Sequence, residues 1–419
     1  MTEPIRALYE LISGNCLRSE GKPNAAIEDR TSTFSISERF GLDWIRAFGL
    51  RLWYGIGETD PIEAAVSLFY HDICHGNEPA YPTSTLDDEQ SSNSAESPLW
   101  VILKIFAVAK HNGNHAEIKP VPVPQDIMPE AVTGNGLRNR FSFQLFHHIC
   151  KVAGPYNALT IDEHRANQLT FNYAWEVAAA RDYGPALFVL LYLTRAVDRE
   201  RSIKEMLSQF GAWLPKPLLE DGAPSIMWKF LTEELRIPSP WIWAAKALFA
   251  RYDGNPSAEV ECLINAEHWN EAHETFCRVV APKTVIRRDF STLKSLIDAF
   301  GEKPESKIRD WAHEGGMYQD FLALVDVPGI RKDQALVKRL VATLINVGEK
   351  IEKSATASFE EKVALKEIGR LVAGWCTADI GSTIQPADIL RLPMTRDARR
   401  DYAAEVSKRY YRAIMASGA

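Results

Sequence analysis

Within "HWNEAH" (His268–His273), two histidines and a carboxylate stand close enough to suggest a zinc-dependent hydrolase built on His268, Glu271 and His273. The spacing weighs against that chemistry. Two helical histidines that share an ion sit at i and i+4, as in H-E-x-x-H, but His268 and His273 are five apart, about 140° around a helix axis. They converge only if the helix breaks between them. A turn near "AEH" would instead leave Trp269 heading a second helix, with Val260, Leu263 and Ile264 facing Trp269, Ala272 and Phe276. The stretch reads as a helical hairpin, with no catalytic residue, metal ligand or cofactor assigned. The hydrolase stands as the alternative.

Other chemistry-bearing patterns are weaker. "GIG" (Gly55–Gly57) and "GNG" (Gly134–Gly136) are too short for a phosphate fingerprint, and neither follows a predicted strand. No P-loop, G-x-S-x-G elbow or EF-hand loop is present, and "HHIC" (His147–Cys150) reads as helix packing. Six cysteines without a CxxC pair point away from zinc ribbons and fit a reducing compartment, where each thiol acts as a small apolar group.

Two groups of residues could contact partners rather than substrates. Trp241 and Trp243, in "RIPSPWIWAAKALF", start a helix after two prolines. Core packing is the default for them; a partner interface, where Trp is enriched, is the alternative. "TRDARRDYAAEVSKRYYR" carries six basic and three acidic residues, with Arg409, Tyr410 and Tyr411 near its end. A solvated helix face is the plain reading, and an acidic or nucleic-acid partner the sharper one.

The 419 residues carry a formal charge of −7 and are 46% hydrophobic, which excludes wholesale disorder and argues against nucleic acid as the principal partner. The most apolar run, "PALFVLLYL", is about half of the ~20 residues that span a bilayer. Helical periodicity dominates, in about seventeen segments. "SERFGLDWIRAFGLRLWYGI" (Ser37–Ile56) is expected to be one helix with a single wet strip, Asp43, Arg46 and Arg51. "KPVPVPQDIMP" alternates, but its prolines remove ladder donors, so an extended loop is expected. A small residue, an aromatic and another small or apolar residue recur as Ala179, Tyr183, Ala186, as Ala266, Trp269, Ala272 and as Ala312, Tyr318, Phe321. Such hairpin corners without a strict period predict an all-α fold, an irregular α-solenoid of stacked antiparallel helix pairs.

In order along the chain, "DWIRAFGLRLWY", "FLTEELRIPSPWIWAAKAL", "ECLINAEHWNEAHETF", "RRDFSTLKSLIDAF", "RDWAHEGGMYQDFLAL" and "PADILRLPM" resemble the helical scaffold nucleoporin of the ninety-six-kilodalton type. That family is the carboxy-terminal product of a self-cleaving nucleoporin precursor and belongs to the Y-shaped nuclear pore complex. The resemblance implies a fold-back coat-nucleoporin solenoid over 1–419, with 1–75 and 98–255 trunk-like and 256–419 tail-like, while the polar, Pro/Ser-rich composition of 76–97 and the irregular pattern of 111–136 make those two stretches the expected mobile loops. It implies a non-enzymatic scaffold at the nuclear envelope that joins long-arm and short-arm Y-complex neighbours and so supports protein and mRNA transport. A vesicle-coat subunit is the related alternative. Family members also insert an amino-terminal β-segment into a β-propeller partner. No counterpart is visible here, so a fragment or short gene product without direct propeller binding is expected.

Overall fold

The structure, a computed structural model, describes residues 2–83, 96–111, 117–128, 138–219, 221–325, 333–378 and 384–417. Short polar side chains open many of its helices. Asp43, Asp162, Asn255, Asp289 and Asp333 each accept a hydrogen bond from a first-turn N–H that the helix itself cannot satisfy. The chain divides into two units, Met1–Ile203 and Lys204–Ala419. Helices carry the core of both, and strands among the described residues are confined to two two-stranded ribbons in the first unit. The all-α expectation holds.

The first unit runs α1 (Glu3–Ile12), β1 (Arg18–Ser19), β2 (Phe34–Ser35), α2 (Ile36–Arg39), α3 (Trp44–Leu50), α4 (Ile62–Cys74), α5 (Pro98–Lys110), β3 (Val121–Val123), α6 (Arg140–Ala153), β4 (Leu159–Ile161), α7 (Glu163–Ala179) and α8 (Tyr183–Leu190). The next helix, α9 (Ala196–Gln209), contains the division between units. The centre of the first unit is aromatic. Phe69 meets Trp100 edge-on at 5.2 Å, and Phe48 and Trp44 close on the same indole at 6.1 and 6.3 Å. Such edge-to-face pairs add to the burial of each ring.

The continuous helix expected over Ser37–Ile56 is instead two. α2 stops at Arg39, Gly41 takes φ +56°, and Asp43 caps α3, which runs on into a π turn at Arg51–Gly55. A strip drawn at a constant 100° per residue does not survive a break and a widened turn. Asp43 and Arg46 stay exposed, but Arg51 is fully buried. The proline-alternating stretch also differs from expectation. Val121–Val123 pairs in parallel with Leu159–Ile161, with the Val121 N–H on Ala158 O and the Asp162 N–H on Val123 O. Only alternate residues of a parallel strand bond to a given neighbour, and Pro122 occupies the position that faces away. Of the two stretches expected to be mobile loops, residues 84–95, 112–116 and 129–136 lie outside the described residues.

The second unit continues with α10 (Ile226–Lys229), α11 (Ser239–Tyr252), α12 (Pro256–Asn265), α13 (Trp269–Thr275), a π turn at Phe276–Val280, α14 (Ala281–Arg287), α15 (Phe290–Ala299), α16 (Gly315–Val325), α17 (Gln334–Lys353), α18 (Phe359–Ala378), α19 (Pro386–Leu390) and α20 (Arg396–Ser417). Chain neighbours pair as hairpins, α11 with α12, α12 with α13 and α17 with α18, while α14 reaches across to α18. Left-handed residues end three of these helices: Gly254 at φ +72°, Glu267 at +63° and Arg288 at +58°. Phe276, Phe300, Trp311 and Tyr318 fill the centre, with Phe300 5.0 Å from Trp311 and 5.6 Å from Phe276. This is solenoid-like packing, in which each pair is stabilised by its neighbours.

Candidate functional site

The "HWNEAH" stretch folds as the hairpin. α12 ends at Asn265, the His268 N–H returns to Leu263 O at 2.9 Å, and Trp269 starts α13. Val260, Leu263, Ile264, Ala272 and Phe276 share one buried cluster, with Trp269 packed against it. The histidines part company at this turn. His268 is half-exposed, and its Nδ1 lies 3.6 Å from Glu271 Oε2. Glu271 in turn accepts from Arg251 Nη2 at 2.6 Å, while Arg251 Nε donates to Glu259 at 2.7 Å. Those carboxylates, Glu271 foremost, raise the Arg251 pKa and keep the guanidinium charged. His268 and Glu271 therefore belong to a surface ion cluster.

His273 points into the core. It is 5% exposed, its ring lies 5.4 Å from that of Trp311, and its Nε2 accepts the Gly315 N–H at 3.2 Å. Cys277 Sγ stands 3.3 Å from the same nitrogen. Burial lowers the His273 pKa and pushes the Cys277 thiol well up, so the resting pair is neutral. The proposed hydrolase triad is thus split between solvent and core, and His268 is not brought to His273. Cys277 went unnoticed in the sequence, although it sits at i+4 from His273, the separation that brings two side chains onto one helix face.

The aromatic candidates also separate. The Trp243 ring lies 5.6 Å from that of Trp228 and packs, partly buried, on the core of the second unit. Trp241 is partly exposed, with Lys204 Nζ 4.6 Å from its ring centre, a cation–π contact. Tyr411, on α20, is 68% exposed. Arg409 and Tyr410 lie on the same helix, and their side chains are outside the described residues.

The most concentrated charge in the first unit was not anticipated. Buried Arg51 donates from Nε to Asp72 at 2.9 Å and from Nη1 to Ala47 O at 2.9 Å, and its Nη2 meets Glu78 Oε2 at 2.7 Å. Ser37 Oγ donates to the same Glu78 oxygen at 3.1 Å, and the guanidinium lies 5.0 Å from the Phe69 ring centre. This clasp ties α2, α3 and α4 together. The signal was available in "GLRLWYG": one charge in an apolar run must be either exposed or paired.

Two surface features fit association with other molecules. An apolar cleft of about 500 Å³ opens between α5 and α6, walled by Ile102, Phe106, Leu145, Ile149, Val152 and Tyr156. α1 turns Ile5, Leu8, Tyr9 and Ile12 toward solvent. Among the described residues, no helix is long and apolar enough to cross a membrane.

Known proteins share this chain's sequence over most of its length. Nucleoporin NUP145 of Chaetomium thermophilum is 30% identical over 347 residues, covering 81% of this chain and 17% of that protein. Nucleoporin nup189 of Schizosaccharomyces pombe is 26% identical over 392 residues, 89% of this chain and 20% of the relative. Nuclear pore complex protein Nup98-Nup96 of Drosophila melanogaster is 23% identical over 375 residues, 85% of this chain and 18% of the relative. The chain thus spans a fifth or less of the length of these curated relatives. The family model for Nup96, Nuclear protein 96, matches residues 1–249, more than half of the sequence. With stacked helical hairpins beneath that match, the chain belongs to the Nup96 family.

Proposed function

We propose that the chain is a structural, non-catalytic subunit of the nuclear pore complex at the nuclear envelope. The observation that carries this reading is the Nup96 match over residues 1–249. Two of the relatives are named nucleoporins, and the Drosophila one is named a nuclear pore complex protein. Stacked hairpins suit such a role because their surface grows with length, and a standard protein interface needs ~1,600 Å² in total. The division of "HWNEAH" between solvent and core removes the support for the zinc-dependent hydrolase.

In its finer form, the proposal assigns the chain to the Y-shaped coat subcomplex. There it joins neighbouring long-arm and short-arm scaffold nucleoporins and so supports protein and mRNA transport. Trp241, Arg409, Tyr410 and Tyr411 are the proposed contacts, with Trp243 contributing chiefly by holding Trp228 and the helix start in place. Size-exclusion chromatography of the purified chain with each candidate Y-complex subunit tests this. Co-elution with at least one neighbour is expected. Independent elution from every subunit, under conditions where the other subunits assemble, overturns it.

A further inference from the structure

We propose that His273, Cys277 and Glu314 form a binding site for a thiophilic divalent cation of the zinc class. The three residues offer an imidazole nitrogen, a sulfur and a carboxylate oxygen, all within 4.8 Å of one another. The tightest pair is His273 Nε2 and Cys277 Sγ at 3.3 Å. Tetrahedral zinc with bonds of 2.0–2.1 Å to nitrogen and 2.3 Å to sulfur holds those two atoms about 3.6 Å apart. This pair already has nearly the required separation. Glu314 is partly exposed, and its carboxylate, within 4.8 Å of both atoms, closes the remaining gap by side-chain rotation.

The backbone around the pair is specialised. The helix that carries both residues widens into the π turn at Phe276–Val280, and such turns recur at functional sites. Opposite, α16 begins at Gly315, whose N–H points at His273 Nε2 from 3.2 Å. Only glycine permits that approach: a Cβ there would stand 3.0 Å from His273 Nε2 and 2.7 Å from the Trp311 ring. An ion that takes the Nε2 lone pair displaces this N–H, which must then find another acceptor. A cavity of about 120 Å³ adjoins Cys277 and Glu314, lined also by Lys350, Ser354, Thr356 and Glu361. It has room for the ion to enter and for water to complete its coordination.

The charges and protons balance. Neutral His273 gives its lone pair, Cys277 loses its S–H proton to solvent, and Glu314 is a carboxylate already, paired through Oε1 with Lys350 at 2.9 Å. Thiolate and carboxylate together offset the two positive charges of the ion. A soft sulfur and an imidazole select zinc, cobalt or cadmium over magnesium and calcium. Because His273 and Cys277 lie on one hairpin and Glu314 on the corner before the next, the ion would staple successive hairpins of the second unit.

Cobalt(II) titration of the reduced full-length chain tests the site. One equivalent is expected to give thiolate-to-cobalt charge-transfer absorption, to release one proton and to be displaced by zinc. Cys277→Ser should abolish the absorption, Glu314→Gln should weaken binding by at least about 10-fold, and His268→Ala should change nothing. Absorption that persists in Cys277→Ser, or that never appears in the parent chain, overturns the proposal and leaves a buried hydrogen-bonded corner. Should Cys277→Ser fail to fold, Glu314→Gln decides: unchanged affinity in that partly exposed variant is equally fatal.

Discussion

Gly369 presses against the backbone of Pro393: a Cβ on Gly369 would stand 2.1 Å from the Pro393 carbonyl oxygen. On the facing helix, a Cβ on Gly348 would meet the Pro393 ring at 3.3 Å. The "RLPM" segment after α19 is therefore wedged between α17 and α18 through two glycines. Gly369→Ala forces a backbone shift and is expected to destabilise by about 1–3 kcal/mol, typical of overpacking. Gly348→Ala meets only a ring edge and gains helix propensity, so it should stay near neutral. Urea unfolding of both variants checks the contrast, and equal midpoints would refute the wedge.

Removing Arg51 should be among the most damaging single changes in the first unit. Its partners Asp72 and Glu78 are 5% and 1% exposed at their side chains. Arg51→Met leaves two buried carboxylates without their cation, a loss of about 3–5 kcal/mol. Adding Asp72→Leu and Glu78→Leu should recover much of it, since an uncompensated buried charge costs more than an apolar replacement. A triple variant no more stable than Arg51→Met would contradict the clasp.

Acid should weaken the fold through His147. Its ring sits among Phe143, Phe146 and Tyr192, with centroids 4.4, 5.0 and 4.5 Å away, and burial lowers its pKa below 6.5. The unfolded chain then binds the proton more readily, so this contribution is intact above pH 6.5 and is lost as pH falls from there through the folded value. The urea midpoint should decline across that window in the parent. His147→Phe should show a flatter decline; an unchanged slope would show that another group is responsible.

The proposed partner contacts divide by burial. Tyr411→Ser should leave the thermal midpoint within a degree or so while weakening capture of a Y-complex neighbour at least ~10-fold, as expected of an aromatic anchor. Trp243→Ala should instead lower the midpoint by several degrees, because it opens the packing against Trp228. The two readouts are a melting curve and a pull-down on the same preparations. Reversal of the pattern would exchange the assignments of core and contact.

The hairpin at Pro256–Thr275 was readable because every signal in it is local. Asn255 caps, Pro256 suits a first turn, and the apolar residues keep helical spacing up to the corner. Arg51 was misplaced because its environment depends on Asp72 and Glu78, 21 and 27 positions on, and on a break that periodicity cannot register. The pairing of Val121–Val123 with Leu159–Ile161 is equally non-local, and its prolines argued against a strand without saying which edge they occupied. His273 and Cys277 illustrate a different failure. Their four-residue spacing puts them on one helix face, whereas the more conspicuous partner, His268, lies across the hairpin turn.

The ribbon at Val121–Val123 has a consequence for self-association. An exposed sheet edge ordinarily offers free amides on which a foreign chain can lengthen the sheet. Pro122 removes the amide from the outer side at the one position where that recruitment would begin. On that side the ribbon is closed to growth by imino acid chemistry.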